Sequence, residues 1–198
     1  MNLFMDTKLI LQLRSLTGAG MQDCQKALEE TGGDVPKAAE VLRKKGMLKA
    51  AGKQLERTTK EGFIGSYVHS NGKVASMVAL ACETDFVARN DDFKTLAREL
   101  AMHVTAASPL YLNARSVPMD VVEKEKEFYQ EELKNSGKPE AMWEKIMEGK
   151  LQKFYSGVCL LNQLYIKDDA KTIEDVIKEA IAKIGEKIEV KEFKRISL

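Results

Sequence analysis

The run Val74 to Cys82, VASMVALAC, is apolar at nearly every position and is entered through Asn71-Gly72. Asn-Gly is the strongest short-range signal for a tight hairpin, because a type I′ turn needs positive φ at both central residues. The spacing therefore predicts that Phe63 to His69 pairs antiparallel with Lys73 to Cys82. A strand without polar alternation must be covered on both faces, so this one is expected in the middle of a sheet. Its cover follows directly. In NDDFKTLARELAMHVTAAS, Asn90 or Asp91 can cap a helix whose stripe is Phe93, Leu96, Leu100 and Val104.

The flanking segments divide the chain. Residues 7 to 46 repeat apolar positions at helical spacing three times: Leu9, Leu13 and Leu16; Met21, Cys24 and Leu28; Val35, Ala38, Ala39 and Leu42. Thr17-Gly18-Ala19-Gly20 and Gly32-Gly33 separate the helices, Asp34 and Pro36 start the third, and Gly46 reads as its C-cap. The result is a three-helix domain over 1–46, a Lys-, Thr- and Gly-containing linker over 47–61, and a core over 62–198. In the core, charged helical segments run from Pro118 to Leu161 with a break near Gly137. A helix follows with Ile173, Val176, Ile177, Ala180, Ile181 and Ile184 on its face, and Lys187 to Ile196 closes the chain as a strand. A hairpin and a returning terminal strand with helices grouped between them describe an α+β fold around a small antiparallel sheet.

Composition excludes several functions. Thirty-one Lys and Arg against 30 Asp and Glu leave a net charge of +1, without the broad basic footprint of a nucleic-acid grip. Cys24, Cys82 and Cys159 stand far apart with no CxxC spacing and read as reduced, buried thiols. The N-terminal stretch is interrupted by Asp6, Lys8 and Arg14, so it lacks a signal-peptide core, and no apolar run is long enough for a membrane span; the cytoplasm is the expected compartment. His69 and His103 share no HxxxH or HExxH, so neither a metal site nor a catalytic pair is expected. Thr17 to Gly20 lacks the Lys-Ser or Lys-Thr of a phosphate loop and reads as helix punctuation. At each of these points a structural role is favoured over a catalytic one.

What remains is a set of large side chains beside turns. Arg14, Leu16, Met21 and Gln22 flank TGAG, and Phe86 stands in CETDFVARN, where an abrupt change from apolar to charged residues marks the end of the strand. By pattern Phe86 is either partly buried under the following helix or an exposed contact residue, and the spacing of Met21 to Cys24 and Leu28 already explains it as core. Aromatic, Met and Arg anchors in loops on a rigid frame are what protein interfaces use.

Two of these stretches, Leu13–Leu28 (LRSLTGAGMQDCQKAL) and Cys82–Asn90 (CETDFVARN), resemble in sequence, order and separation the two signature segments of elongation factor Ts. EKIMEGKLQKF at 144–154, YIKDD at 165–169 and IAKIGEKIEVKEFKR at 181–195 are similar to later segments of that family. The resemblance implies a ubiquitin-associated-like bundle at the N-terminus and a partner, elongation factor Tu bound to GDP. It implies that Thr84, Asp85, Phe86 and Val87 enter the partner's GTPase domain beside its magnesium site, and that Arg14, Met21 and Gln22 grip a helix of the same domain. The chain is similar to the family's compact members, whose single core pairs with a second copy, so a homodimer is expected. Ala79 and Ala81 replace a Glu and an Asn common in the family, Gln22 stands where a second Met is frequent, and Leu164 replaces a frequent Pro. An adaptor using the bundle surface and an RNA-associated protein using the basic stretch Lys44 to Lys60 are the alternatives.

Overall fold

The computed structural model describes residues 7–137 and 139–198, with side chains described outside 46–56. The first six residues of the N-terminal stretch, including Asp6, lie outside the described residues. Helices α1 (Thr7–Thr17), α2 (Met21–Glu30) and α3 (Val35–Glu56) come first. Ile10, Leu13, Cys24, Ala27, Leu28 and Ala38 form one buried cluster, ringed by Leu9, Val35, Val41 and Leu42. Asp34 caps α3 by accepting the Lys37 N–H at 3.0 Å, with Pro36 in the first turn where its missing N–H is harmless. The helix does not stop at Gly46 but continues to Glu56. A glycine inside a helix costs only about 1 kcal/mol, and the residues after it, Met47, Leu48, Lys49, Ala50 and Ala51, are strong helix formers.

Strands β1 (Glu61–Val68) and β2 (Val74–Cys82) form the expected hairpin, closed by the His69 N–H to Val74 O bond at 2.8 Å. The turn is not type I′: Gly72 is at φ 66 while Asn71 is not at positive φ, and the Gly72 N–H returns to His69 O at 2.8 Å. A short helix α4 (Asp85–Arg89) then precedes α5 (Asp91–Ala107), and α6 (Met119–Asn135) and α7 (Trp143–Val158) flank the break at Gly137. After β3 (Leu164–Tyr165), β4 (Asp168–Thr172) and α8 (Ile173–Ile184), strand β5 (Glu189–Ser197) returns to give the sheet order β1-β2-β5. The apolar strand is therefore central, and the fold is α+β. The β3–β4 hairpin had no signal in the sequence, because two residues and a charged partner strand are too short to show a period.

Close contacts group the chain into two compact units. One comprises residues 1–63, 80–94 and 175–189, and the other 64–79, 95–174 and 190–198. In the second, α5 buries Leu96, Ala97, Leu100, Ala101 and Val104. Ser76 donates its hydroxyl to Ala101 O and accepts that of Thr105 at 2.9 Å, and the Arg195 guanidinium reaches Thr105 O at 3.2 Å. These contacts define which sheet face α5 covers.

The buried side of α5 carries a titratable group, His103. His103 donates from Nε2 to Gln163 Oε1 at 3.1 Å and accepts the Ile166 N–H on Nδ1 at 3.4 Å, while the Gln163 amide donates to Ala107 O and Gly157 O. This arrangement needs a neutral ring, since a proton on Nδ1 would face the Ile166 N–H. Burial holds the His103 pKa below its ordinary 6.5, opposed by the bond to Gln163. The unfolded chain takes its proton near 6.5 and the native chain lower, so stability is complete above 6.5 and falls as pH descends towards the folded value. The slope from this residue cannot exceed about 1.4 kcal/mol per pH unit, the limit for one proton. Urea unfolding between pH 7.5 and 5 should show a steeper loss for the natural chain than for His103→Gln; parallel profiles would remove His103 as the cause.

Candidate functional site

Strand β2 ends on three buried residues, Leu80, Ala81 and Cys82, where the chain turns outward. Met77 in its middle is exposed, so its two faces are not both covered as the apolar run predicts. The Cys82 thiol donates to Thr84 O at 3.2 Å; burial, then the neighbouring Glu186 carboxylate, pushes its pKa up to about 11, so it stays an unreactive thiol. Thr84 takes an extended conformation as N-cap of α4, its Oγ accepting the Val87 N–H at 3.5 Å. Asp85 opens the helix, where a carboxylate is favoured by the exposed N–H groups, and pairs with Arg89 at 3.2 Å across one turn. Asn90 then accepts the Asp92 N–H at 2.7 Å and starts α5.

The five residues of α4 explain Phe86. Such a helix has one protected side, which Ala88 occupies; a residue two positions earlier points roughly 200° away around the axis. Phe86 is accordingly 83% exposed, which overturns the pattern-based reading that the next helix covers it. The helix itself was missed because a single turn shows no period. Its signal was Thr84 followed by Asp85, a cap and an acidic first-turn residue.

The exposed turn is held by residues about 100 positions away. Glu186 Oε2 accepts the N–H groups of Glu83 and Thr84, both at 3.1 Å, and Oε1 accepts the Thr84 hydroxyl at 2.6 Å. In return Glu83 accepts the Lys187 N–H and pairs with Arg57 at 3.1 Å. Lys187 Nζ donates to Arg57 O at 2.8 Å. The substituted positions Ala79 and Ala81 lie half-buried and buried in β2, while Leu164 is exposed in β3.

Arg14 lies in the last turn of α1 and Met21 and Gln22 open α2, all three exposed around the Thr17–Gly20 turn; Leu16 beside them is also exposed. Met21 is thus not a core residue, since Cys24, Ala27 and Leu28 fill the buried side of α2. Gly18, at φ 67, gives the turn a left-handed conformation that a side chain resists, and its N–H returns to Arg14 O at 2.8 Å. The Lys183 side chain occupies the space beside it: a Cβ on Gly18 would stand 3.4 Å from Lys183 Cγ, while Lys183 Nζ pairs with Asp92 at 2.7 Å. The N-terminal turn and the Phe86 turn belong to the same compact unit, and Lys183 links the first of them to Asp92 at the start of α5. Neither Lys183 nor Glu186 carried a signal in the sequence, because their partners are distant in the chain.

The site offers exposed aromatic, aliphatic and cationic side chains on a fastened frame, the composition of a protein-binding surface. Cys24, Cys82, Cys159 and His103 are buried, and among the described residues no three His, Cys, Asp or Glu side chains gather as a metal site. No helix among the described residues is long and apolar enough to cross a membrane.

The family model described as Elongation factor TS matches residues 49–198. A protein named Elongation factor Ts from Fervidobacterium nodosum is 55% identical over 191 residues, covering 96% of this chain and 96% of its own. Proteins of the same name from Thermotoga petrophila and Myxococcus xanthus are 54% and 52% identical, each over 96% of this chain and over 94% and 87% of their own.

Proposed function

Because this chain belongs to the elongation factor Ts family, a family of translation elongation, we propose that it promotes release of GDP from elongation factor Tu. The observation that carries this reading is Phe86, exposed at the tip of a turn that several charged hydrogen bonds hold. A GTPase retains GDP through backbone amides at the phosphates and through magnesium, all in register. An aromatic pushed in behind that shell, with Asp85 beside it and Thr84 and Val87 shaping the turn, moves the shell without touching the nucleotide. Arg14, Met21 and Gln22 grip the same GTPase domain from the bundle and supply affinity. Coupling between ligands is reciprocal, so a factor that weakens GDP must itself be weakened by GDP. Such an exchange factor needs no acid, base or cofactor of its own; magnesium and nucleotide belong to the partner.

The reading treats 1–46 as a ubiquitin-associated-like module, 47–61 as connector and 62–198 as core, working in the cytoplasm without nucleic acid or membrane. Labelled GDP leaving elongation factor Tu faster when this protein is added is the expected result. An unchanged release rate would refute it, and would return attention to the adaptor and RNA-associated alternatives.

A homodimer is part of the same proposal. Gly65 and Ser76 face α5, so their strand neighbours Ile64 and Met77 point the other way, and Val68 lies on the side of Ile64. Ile64 and Val68 are 63% and 65% exposed. An open apolar sheet face of this kind fits a second copy. Sedimentation should give twice the 22.2 kDa of one chain, reduced to 22.2 kDa by Ile64→Glu. A 22.2 kDa species for the natural chain at micromolar concentration would rule the dimer out.

A further inference from the structure

The turn that presents Phe86 projects from the buried end of β2, and α4 buries only Ala88. Its orientation must therefore come from bonds made at its base. Among those, Glu186 is singular, since one half-buried carboxylate takes three donors from two consecutive residues: the N–H of Glu83, and the N–H and hydroxyl of Thr84. The hydroxyl bond has a second effect. With its proton directed at Glu186 Oε1, Thr84 Oγ turns a lone pair to the Val87 N–H and so caps α4. The direction of Phe86 thus depends on a residue that stands one step after Gly185 at the end of α8.

We infer that Glu186 is the positioning residue of the exchange site: it does not touch the partner, and it sets the fraction of molecules in which Asp85 and Phe86 are aligned for entry. This rests on the exchange reading above. The Arg14, Met21 and Gln22 contacts lie on the bundle, so loss of Glu186 should lower the release rate at saturation more than it raises the concentration needed for half-saturation. Geometry also distinguishes the substitutions. In Glu186→Gln the amide oxygen can keep both N–H groups and the NH2 can donate to Thr84 Oγ. Glu186→Asp is one methylene too short, and Glu186→Ala removes every acceptor.

Two measurements on the full chain test this separately. Amide hydrogen exchange needs no partner: Glu186→Ala should speed exchange at Glu83 and Thr84 by about tenfold, as loss of hydrogen bonds to a charged acceptor implies. Release of labelled GDP from elongation factor Tu should then fall about tenfold at saturation with little change in half-saturation. Glu186→Asp should follow Glu186→Ala, and Glu186→Gln should restore both readouts. Unchanged amide exchange would overturn the clamp. Faster amide exchange with an unaltered saturating rate, a change confined to half-saturation, or Glu186→Gln failing with Glu186→Ala would each overturn the positioning role. If the natural chain gave no stimulation while amide exchange responded as expected, the exchange reading would be the part at fault, and the role of Glu186 would fall with it.

Discussion

Phe86→Ala should leave the fold and its urea midpoint unchanged while lowering the stimulated release of GDP about thirtyfold, as loss of an anchor worth about 2 kcal/mol or more implies. The two halves of this expectation have one cause. A side chain that is 83% exposed contributes almost nothing to folding, so its removal leaves no cavity. In a complex the same ring would be desolvated inside another protein, where an aromatic contributes most. Arg14→Ala is the contrasting variant, because a cation on the bundle should alter the concentration of factor required rather than the rate at saturation. Labelled nucleotide release across a range of factor concentrations separates the two. A folded Phe86→Ala protein with an unaltered release rate would sink the assignment of the exchange site.

Gly65→Ala should destabilise the protein by about 3 kcal/mol, at the upper end of the usual overpacking cost, without changing any contact of the exchange site. Strand β1 meets α5 backbone to backbone at this point. A Cβ on Gly65 would stand 2.7 Å from the Arg98 nitrogen and closer still to the Ala97 carbonyl, and neither is a flexible side-chain end that can move aside. Gly149→Ala in α7 makes the comparison informative. Nothing lies within 4 Å of its missing Cβ, so the same chemical change should there stabilise by up to about 1 kcal/mol through helix propensity. Urea midpoints moving in opposite directions, with equal slopes, are expected. A Gly65→Ala protein as stable as the natural chain would mean that β1 does not approach α5 so closely.

Much of the architecture was legible along the chain because it rests on short-range chemistry. Asn71-Gly72 and the unbroken apolar run of β2 defined the hairpin and its central strand, and three helical stripes defined the bundle. Pro36, Asp34 and the glycine turns are local signals of the same kind. Where propensity conflicted with punctuation, propensity prevailed: Gly46 lies inside α3 because the residues beyond it favour a helix. The β3–β4 hairpin and the single turn of α4 were illegible because periodicity needs length.

The candidate site divides along the same line. The sequence by itself determined that large residues stand beside two polar turns, Arg14, Met21 and Gln22 at one and Asp85 and Phe86 at the other. It left Phe86 between core and surface, because an aromatic next to a helix has the same pattern in either role. Only the tertiary structure decided for the surface, by spending the one protected side of α4 on Ala88. Only the tertiary structure brought Lys183 against Gly18 and Asp92, and Glu186 under Glu83 and Thr84. Hydrogen bonds between residues a hundred positions apart leave no periodicity and no local composition, so they exist for a reader only once the chain has folded.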